Sequence, residues 1–243
     1  MNNKTVLITG ASRRLGAAIA RELHHRGMDI VIHYHRSARD AQSLADELNG
    51  QRPGSADLVQ ADLNEASAAN HIIEAAVGFN GRLDVLINNA SSFYPTPVAE
   101  VTLEQWDDLF NTNLKAPFFL AQRAYTHLCG SGGCIINITD IHAHRPLQGY
   151  PVYSMAKAGL IMLTMALARE FGPQVRVNAV SPGAIIWPEH MDKQTREKIL
   201  SRTLMKRCGD PRDITGAINF LINDAAYVTG QVLVIDGGRS LYS

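Results

Sequence analysis

Residues 5–16 read Thr5-Val6-Leu7-Ile8-Thr9-Gly10-Ala11-Ser12-Arg13-Arg14-Leu15-Gly16. Thr5–Thr9 is a short β-branched and aliphatic run, and the residues after it change period. Leu15, Ile19 and Leu23 recur at helical spacing, with Gly27 as a stop. Strand, glycine turn and helix therefore follow one another without a break. Gly10 can turn the chain sharply because it has no Cβ, and Gly16 lets the helix pack closely on the strand. A helix starting here aims amide hydrogens and a partial positive charge at whatever lies beyond the strand, an arrangement that suits a pyrophosphate.

The same alternation continues outward. Further strands are expected at Ile30–His35, Asp57–Ala61, Leu83–Asn88, Cys134–Thr139, Val175–Val180 and Val232–Ile235. Several are continuously apolar, as in parallel strands covered on both faces. Between them lie helical patterns, the longest from Tyr153 to Phe171 with Leu160, Leu163, Leu167 and Phe171 on its apolar side. The pattern predicts an α/β fold, a Rossmann-like, doubly wound parallel sheet of about seven strands. Right-handed crossovers would gather the strand C-termini, and any ligand, along one edge. Glycine, proline and charge are evenly spread and no linker divides the chain, so residues 1–243 read as a single domain. Residues 183–206 read as a substrate lid, beginning near Pro182–Pro188 and continuing into a polar helix-like stretch from His190 to Lys206.

With 46% hydrophobic and 19% charged residues, the chain can bury a sizeable core. Twenty-three basic residues balance 23 acidic ones, so no global field recruits nucleic acid or a membrane. Cys129, Cys134 and Cys208 have no C-x-x-C spacing, which fits a reducing compartment better than a disulfide framework or a zinc site. The N-terminus is poorly flanked for a signal peptide, and no apolar run is expected to approach the roughly 18 residues of a membrane span. A cytoplasmic protein is expected.

At the end of the second strand, a site for NAD would carry an acid about 20 residues past the glycine motif to accept from the ribose 2′-hydroxyl. Here the chain reads His33-Tyr34-His35-Arg36-Ser37, with no acid. Arg36 can grip a 2′-phosphate that a carboxylate would repel, and Ser37 can donate to it. NADP(H) is the dinucleotide expected. His33 and His35 supply only half of a zinc shell, so no metal is expected there.

Tyr153-Ser154-Met155-Ala156-Lys157 places Tyr153 and Lys157 one turn apart on a helix face, just after a strand ending in Thr139-Asp140. A tyrosine titrates near pH 10, and a neighbouring ammonium is expected to lower that value and make it a usable acid or base.

Together these segments identify the chain as a member of the short-chain dehydrogenase/reductase superfamily. Gly10–Gly16, Asn88-Asn89-Ala90, Asn113, Tyr153/Lys157, Pro182-Gly183 and Asp236-Gly237-Gly238 stand in its order and spacing over nearly the whole length. The resemblance implies hydride transfer at nicotinamide C4, with Tyr153 exchanging the proton and Lys157 bonding the nicotinamide ribose. It implies that Asn113 anchors a water in the proton relay, Asp62 meets the adenine and Asn89 lines the cofactor. It extends the cofactor set to Arg13, Arg14, Leu15, His35, Leu63, Ala90, Ser91, Pro182 and Gly183. It also implies a homotetramer with a small-molecule substrate.

Three departures from the general pattern are informative. Arg14 replaces the middle glycine of the first turn, Ser91 replaces the glycine after Asn-Asn-Ala, and Asp140 replaces the usual serine. These changes, with His33–Ser37 and Asn89-Ala90-Ser91-Ser92-Phe93-Tyr94-Pro95, resemble the pteridine reductases. The chemistry points the same way. An ionised Asp140 has only acceptors, so it repels a carbonyl oxygen but suits a substrate presenting N–H groups, such as an aminopyrimidine. It also favours the protonated form of Tyr153, as reduction requires. Phe93 is expected to stack on a flat heterocycle, with Ser91 beside it. Arg14 is expected to span a cofactor phosphate and the pterin. Plainer readings remain open: Asp140 as a cap of the next segment, Phe93 in the core, Arg14 solvated, His142 and His144 as loop residues, Trp187 at the lid or packing a crossover. The expected activity is NADPH-dependent reduction of a pterin, a dihydropterin or a dihydrofolate-like substrate. The competing activities are reduction of a carbonyl or 3-oxoacyl thioester, and NADPH binding by a regulator without catalysis.

Overall fold

The computed structural model describes residues 4–187 and 191–242. Seven strands, β1 (Thr5–Ile8), β2 (Asp29–Tyr34), β3 (Ala56–Gln60), β4 (Val85–Asn88), β5 (Cys134–Ile138), β6 (Arg176–Pro182) and β7 (Val232–Ile235), form one parallel sheet in the order β3-β2-β1-β4-β5-β6-β7. The chain is a single-domain Rossmann-like α/β fold, as its alternating pattern predicts. Neighbouring strands β1 and β4 lead away in opposite directions, which opens a crevice at their C-terminal ends.

Continuous apolar strands are explained by cover on both faces. Val6 and Ile8 of β1 join one core with Ile19 and Leu23 of α1 (Arg14–His25), Leu44 and Leu48 of α2 (Ala38–Gln51), and Ile214 and Ile218 of α8 (Pro211–Asn223). The intervening Leu7 joins a second core on the opposite face. There it meets Ile72 of α3 (Ala68–Asn80), Leu120 and Leu128 of α5 (Ala116–Ser131), and Leu160 and Leu163 of α6 (Pro151–Phe171). Side chains alternate strictly along a strand, so each strand must be apolar at every position to serve both layers.

Several boundaries differ from expectation for local reasons. β4 begins at Val85 because Asp84 uses its carboxylate to accept from the Thr5 N–H at 2.8 Å and from Arg82. β1 ends at Ile8 because Thr9 has already turned, its Oγ1 accepting from the Asn89 and Ala90 N–H groups. β6 runs on to Pro182. Only part of the segment expected as a lid is a helix, α7 (Lys193–Ser201), and residues 188–190, including Pro188 and His190, lie outside the described residues. Contrary to the hydropathy expectation, α6 is long and apolar enough to cross a membrane by length and composition, with mean hydropathy 1.4. Its apolar residues pack on the sheet, and it carries the buried Tyr153 and Lys157.

Candidate active site

The crevice at the β1–β4 switch point is a cleft of about 730 Å³. Gly10, Arg13, Arg14, Leu15 and Gly16 line one side, and His35, Arg36, Ser37, Asp62 and Leu63 line the adenine-side end expected from the sequence. Asn89, Ala90, Ser91 and Phe93 close the inner end. Pro182 and Gly183 do not line this cleft; Pro182 ends β6 and Gly183 follows it beside Asp236, which a Cβ on Gly183 would meet at 2.7 Å.

Sterics hold the turn after β1. Gly10 has φ +61°, and a Cβ on it would lie 2.9 Å from the Ala90 backbone. A Cβ on Gly16 would meet the Gly10 carbonyl oxygen at 2.4 Å. Asn89 clamps the turn from β4, its Nδ2 donating to the Thr9 and Gly10 carbonyls at 2.8 and 3.0 Å. Arg14 has φ +51°, in the left-handed region that favours glycine, and its guanidinium donates to the Ile186 carbonyl at 3.0 Å. It is exposed, as the solvated reading expects, and it lines the cleft while tied to the loop after β6. Arg13 is engaged by Asp40 at 2.6 Å. The cleft therefore has the close backbone approach, the helix N-terminus and the volume that a dinucleotide needs.

At the other end, Arg36 is exposed and its guanidinium has no hydrogen-bonded partner among the described residues. Ser37 sits just before α2, with no side-chain capping bond. His35 lies 3.6 Å from the Asp62 carboxylate. Asp62 is held below the usual carboxylate range, mainly by the Asn64 N–H. His33 is buried, its Nδ1 accepting from the Gly10 N–H and its Nε2 on the Ala61 carbonyl, both at 3.2 Å. Both ring nitrogens are thus engaged by backbone, and the pairing with His35 as half a metal shell does not arise.

Asp140, Tyr153, Lys157 and Asn113 are not among the residues that line this cleft; they lie together just behind its inner end, where Phe93 meets Tyr153 and Ser91 meets Asn113. Tyr153 donates its hydroxyl hydrogen to Asp140 Oδ2 at 2.8 Å. Asp140 Oδ1 accepts from the His142 N–H at 2.8 Å, so the residue both caps the short turn Ile141–Ala143 and engages the phenol. Lys157, fully buried on α6, donates to the Ile138 carbonyl at 2.9 Å and lies 5.8 Å from the Tyr153 ring centroid. The expectation that this ammonium brings Tyr153 down is overturned. Burial first and the Asp140 charge second push the phenol well above its ordinary value, with Ser91 as a smaller opposing influence. Lys157 itself is lowered to about 8 by burial, with Asp140 opposing.

Asn113 is buried in a widened helical turn (Asn111–Lys115) between α4 (Leu103–Phe110) and α5, a local irregularity often found at functional sites. Its Oδ1 accepts from Ser91 Oγ at 2.7 Å, and its Nδ2 donates to the Ser92 and Leu109 carbonyls. It thereby fixes Ser91 beside Tyr153. Phe93 is 50% exposed rather than in the core; it stacks on Tyr150 with centroids 4.6 Å apart and meets Tyr153 edge-on at 4.8 Å. Tyr150 was not expected from the sequence, although an aromatic just before a helix-starting proline is a visible signal. Trp187 lies under the Arg196 guanidinium at 5.9 Å; His142 belongs to the short turn Ile141–Ala143, with its Nδ1 3.0 Å from the Arg145 carbonyl, and His144 follows that turn.

Residues 10–240 match a family model described as Enoyl-(Acyl carrier protein) reductase. The chain is a short-chain dehydrogenase/reductase. It is 37% identical to Pteridine reductase 1 of Leishmania tarentolae, over 97% of this chain and 96% of the relative. It is also 32% identical to Glucose 1-dehydrogenase 2 of Bacillus subtilis, over 100% and 95%, and 32% identical to a 3-oxoacyl-(acyl-carrier-protein) reductase of Staphylococcus aureus, over 97% of each. As a member of this family the protein is an oxidoreductase that uses a nicotinamide dinucleotide and acts on a small molecule. This dehydrogenase/reductase carries a carboxylate on its tyrosine, and that pair sets the chemistry open to it.

Proposed function

We propose that the protein reduces a pterin or dihydropterin, or a dihydrofolate-like substrate, with NADPH. The observation that carries this reading is the 2.8 Å bond from the Tyr153 hydroxyl to Asp140. A ketone-reducing site needs donors around a developing alkoxide. Here the phenol's nearest partner is an acceptor-only carboxylate, repulsive to a carbonyl oxygen and attractive to ring or exocyclic N–H groups. Phe93, backed by Tyr150, offers a planar face for a flat heterocycle. The resemblance to a named pteridine reductase agrees with both features.

When bound, the dinucleotide supplies a hydride. Tyr153 supplies the proton: its O–H bond breaks as a ring nitrogen adjacent to the reduced carbon takes the hydrogen, so one hydride and one proton are added across C=N. Its raised pKa keeps it protonated until then. The phenolate left behind lies near the Lys157 ammonium; its proton returns from solvent, and the Ser91 hydroxyl, which donates to Asn113 Oδ1, can pass one on only as it accepts another. Lys157 keeps N–H donors beyond its bond to Ile138 for the ribose hydroxyls. Arg36 and Ser37 are the residues for a 2′-phosphate, which favours NADPH over NADH.

The test is turnover. Dihydrobiopterin, dihydromonapterin or dihydrofolate should each be offered with NADPH, following its absorbance, alongside a β-ketoacyl thioester. Consumption with at least one pterin, lost by about 100-fold or more in Asp140→Ser, is expected. Brisk thioester reduction with no pterin turnover would defeat the pterin reading in favour of a carbonyl reductase. Stoichiometric NADPH binding with no turnover of any substrate would favour a non-catalytic regulator.

A further inference from the structure

His33 is the one ionisable side chain within β2's buried, otherwise apolar run, Ile30 to His33, and it is 2% exposed. Its position at the crossing of three segments explains why an imidazole stands there. The ring's Nδ1 accepts from the Gly10 N–H, and the His33 backbone carbonyl accepts from the Ala11 N–H at 2.9 Å. The far side of the ring, Nε2, meets the Ala61 carbonyl, and a carbonyl can only accept. One tautomer satisfies all of this: Nε2 carries the hydrogen and Nδ1 is bare.

Two consequences follow for the cleft. Residues 10 and 11 have their amides turned back onto β2, so the amides left to face an anion are those that follow, at the start of α1. Ala61 immediately precedes Asp62 at the opposite end of the cleft. One rigid ring therefore spans from the base of the phosphate turn to the end of β3.

We infer that His33 is a positioning residue for the dinucleotide, a neutral strut that sets the spacing between the phosphate turn and the Asp62 end of the cleft. It touches neither substrate nor the reacting atoms. A leucine of similar volume would fill the space but leave the Gly10 N–H and the Ala61 carbonyl unpaired. An asparagine places an acceptor near Nδ1 and restores the Gly10 bond alone. Protonation would set an N–H against the Gly10 N–H and put a buried charge near the positive end of α1. Burial accordingly depresses the ring to about 4, opposed first by the bond to the Ala61 carbonyl and then by Asp62, and helped by His35 and by His71 of α3. The inference needs a nicotinamide dinucleotide but not the pterin reading, so the two can fail separately.

The experiment measures NADPH and NADH affinity by fluorescence titration without substrate, in wild type, His33→Leu and His33→Asn. Kd for both dinucleotides should rise tenfold or more in H33L, and H33N, which restores only the Gly10 end, should recover part of that loss but not all of it. At saturating cofactor, kcat with whichever substrate the wild type turns over should change less than threefold. A Kd within threefold of wild type in H33L, or equal losses in H33L and H33N, would overturn the inference. Nitrogen NMR of ligand-free wild type provides a check that does not depend on a variant folding. The expected spectrum has a bare Nδ1, a protonated Nε2 and no titration between pH 5 and 8. The opposite tautomer, or titration near the ordinary histidine value, would also overturn it.

Discussion

The two ends of the cleft are built by different means. At the dinucleotide end, backbone and missing side chains do the positioning: Gly10, Gly16, the Asn89 clamp and the His33 ring leave little freedom. At the inner end, side chains meet one another: Tyr153 on Asp140, Ser91 on Asn113, Phe93 on Tyr150. The first arrangement serves any chain of this family, because it recognises a shared ligand through groups every residue carries. The second is individual, because exchanging one side chain changes which atoms it can face. Relatives named for a pterin, a sugar and an acyl thioester share similar identity with this chain, as such a division allows.

Substitutions can separate the ends. The largest effect is expected from Tyr153→Phe, which removes the proton donor and should lower kcat by about 10²–10⁴-fold. Dinucleotide Kd, read by fluorescence titration, should stay within threefold; a parallel loss of binding would merge the two ends. Arg36→Asp replaces a charge-assisted donor with a repelling carboxylate. The KM for NADPH should rise about 10–100-fold while that for NADH moves little, in steady-state kinetics with either cofactor. Gly16→Ala forces a Cβ to 2.4 Å from the Gly10 carbonyl oxygen, so the neighbouring backbone must shift. Urea unfolding should register a loss of about 2–3 kcal/mol.

Next in size is a pH effect. Lys157 titrates at about 8 and Tyr153 well above its ordinary value, so Lys157 is the group that loses its proton first as pH rises. Below about 8 it is a cation able to steady the phenolate. Above that, kcat/KM should fall about tenfold per pH unit, and a limb near 10 instead would mean that burial does not depress Lys157. The linked stability runs the other way: because the folded value lies below the free one, the burden of a buried charge is relieved as pH climbs past 8. The smallest effect belongs to Arg13→Ala, which removes an exposed pair with Asp40 and should change stability by less than about 1 kcal/mol in the same urea assay.

Most of the fold was legible in the sequence because a sheet covered on both faces writes apolar residues at every strand position. The boundaries were less so: β4 starts late through an Asp84–Thr5 bond between residues far apart in sequence. In the site, Asp140 and Tyr153 could be paired from spacing and from the acceptor-only chemistry of a carboxylate. The upward push of Asp140 on Tyr153 was legible too, but not that it would win over Lys157, since the depth of burial and the engagement of Lys157 by Ile138 were not visible. His33 was weighed only against a metal role, because its partners, Gly10 and Ala61, converge through the crossovers. A lone histidine within an apolar buried strand was the available signal.

Arg14 has one more implication. A side chain in the left-handed region is disfavoured by about 1–2 kcal/mol, and here the disfavoured backbone coexists with a tether to the Ile186 carbonyl. Arg14→Gly would relax the turn and cut that tether in the same stroke, leaving a chain that is easier to fold and has one fewer link between its first crossover and the loop after β6. Arginine at this position trades local comfort for reach: it joins two segments 172 residues apart along the chain, from a spot where the usual residue has no side chain at all.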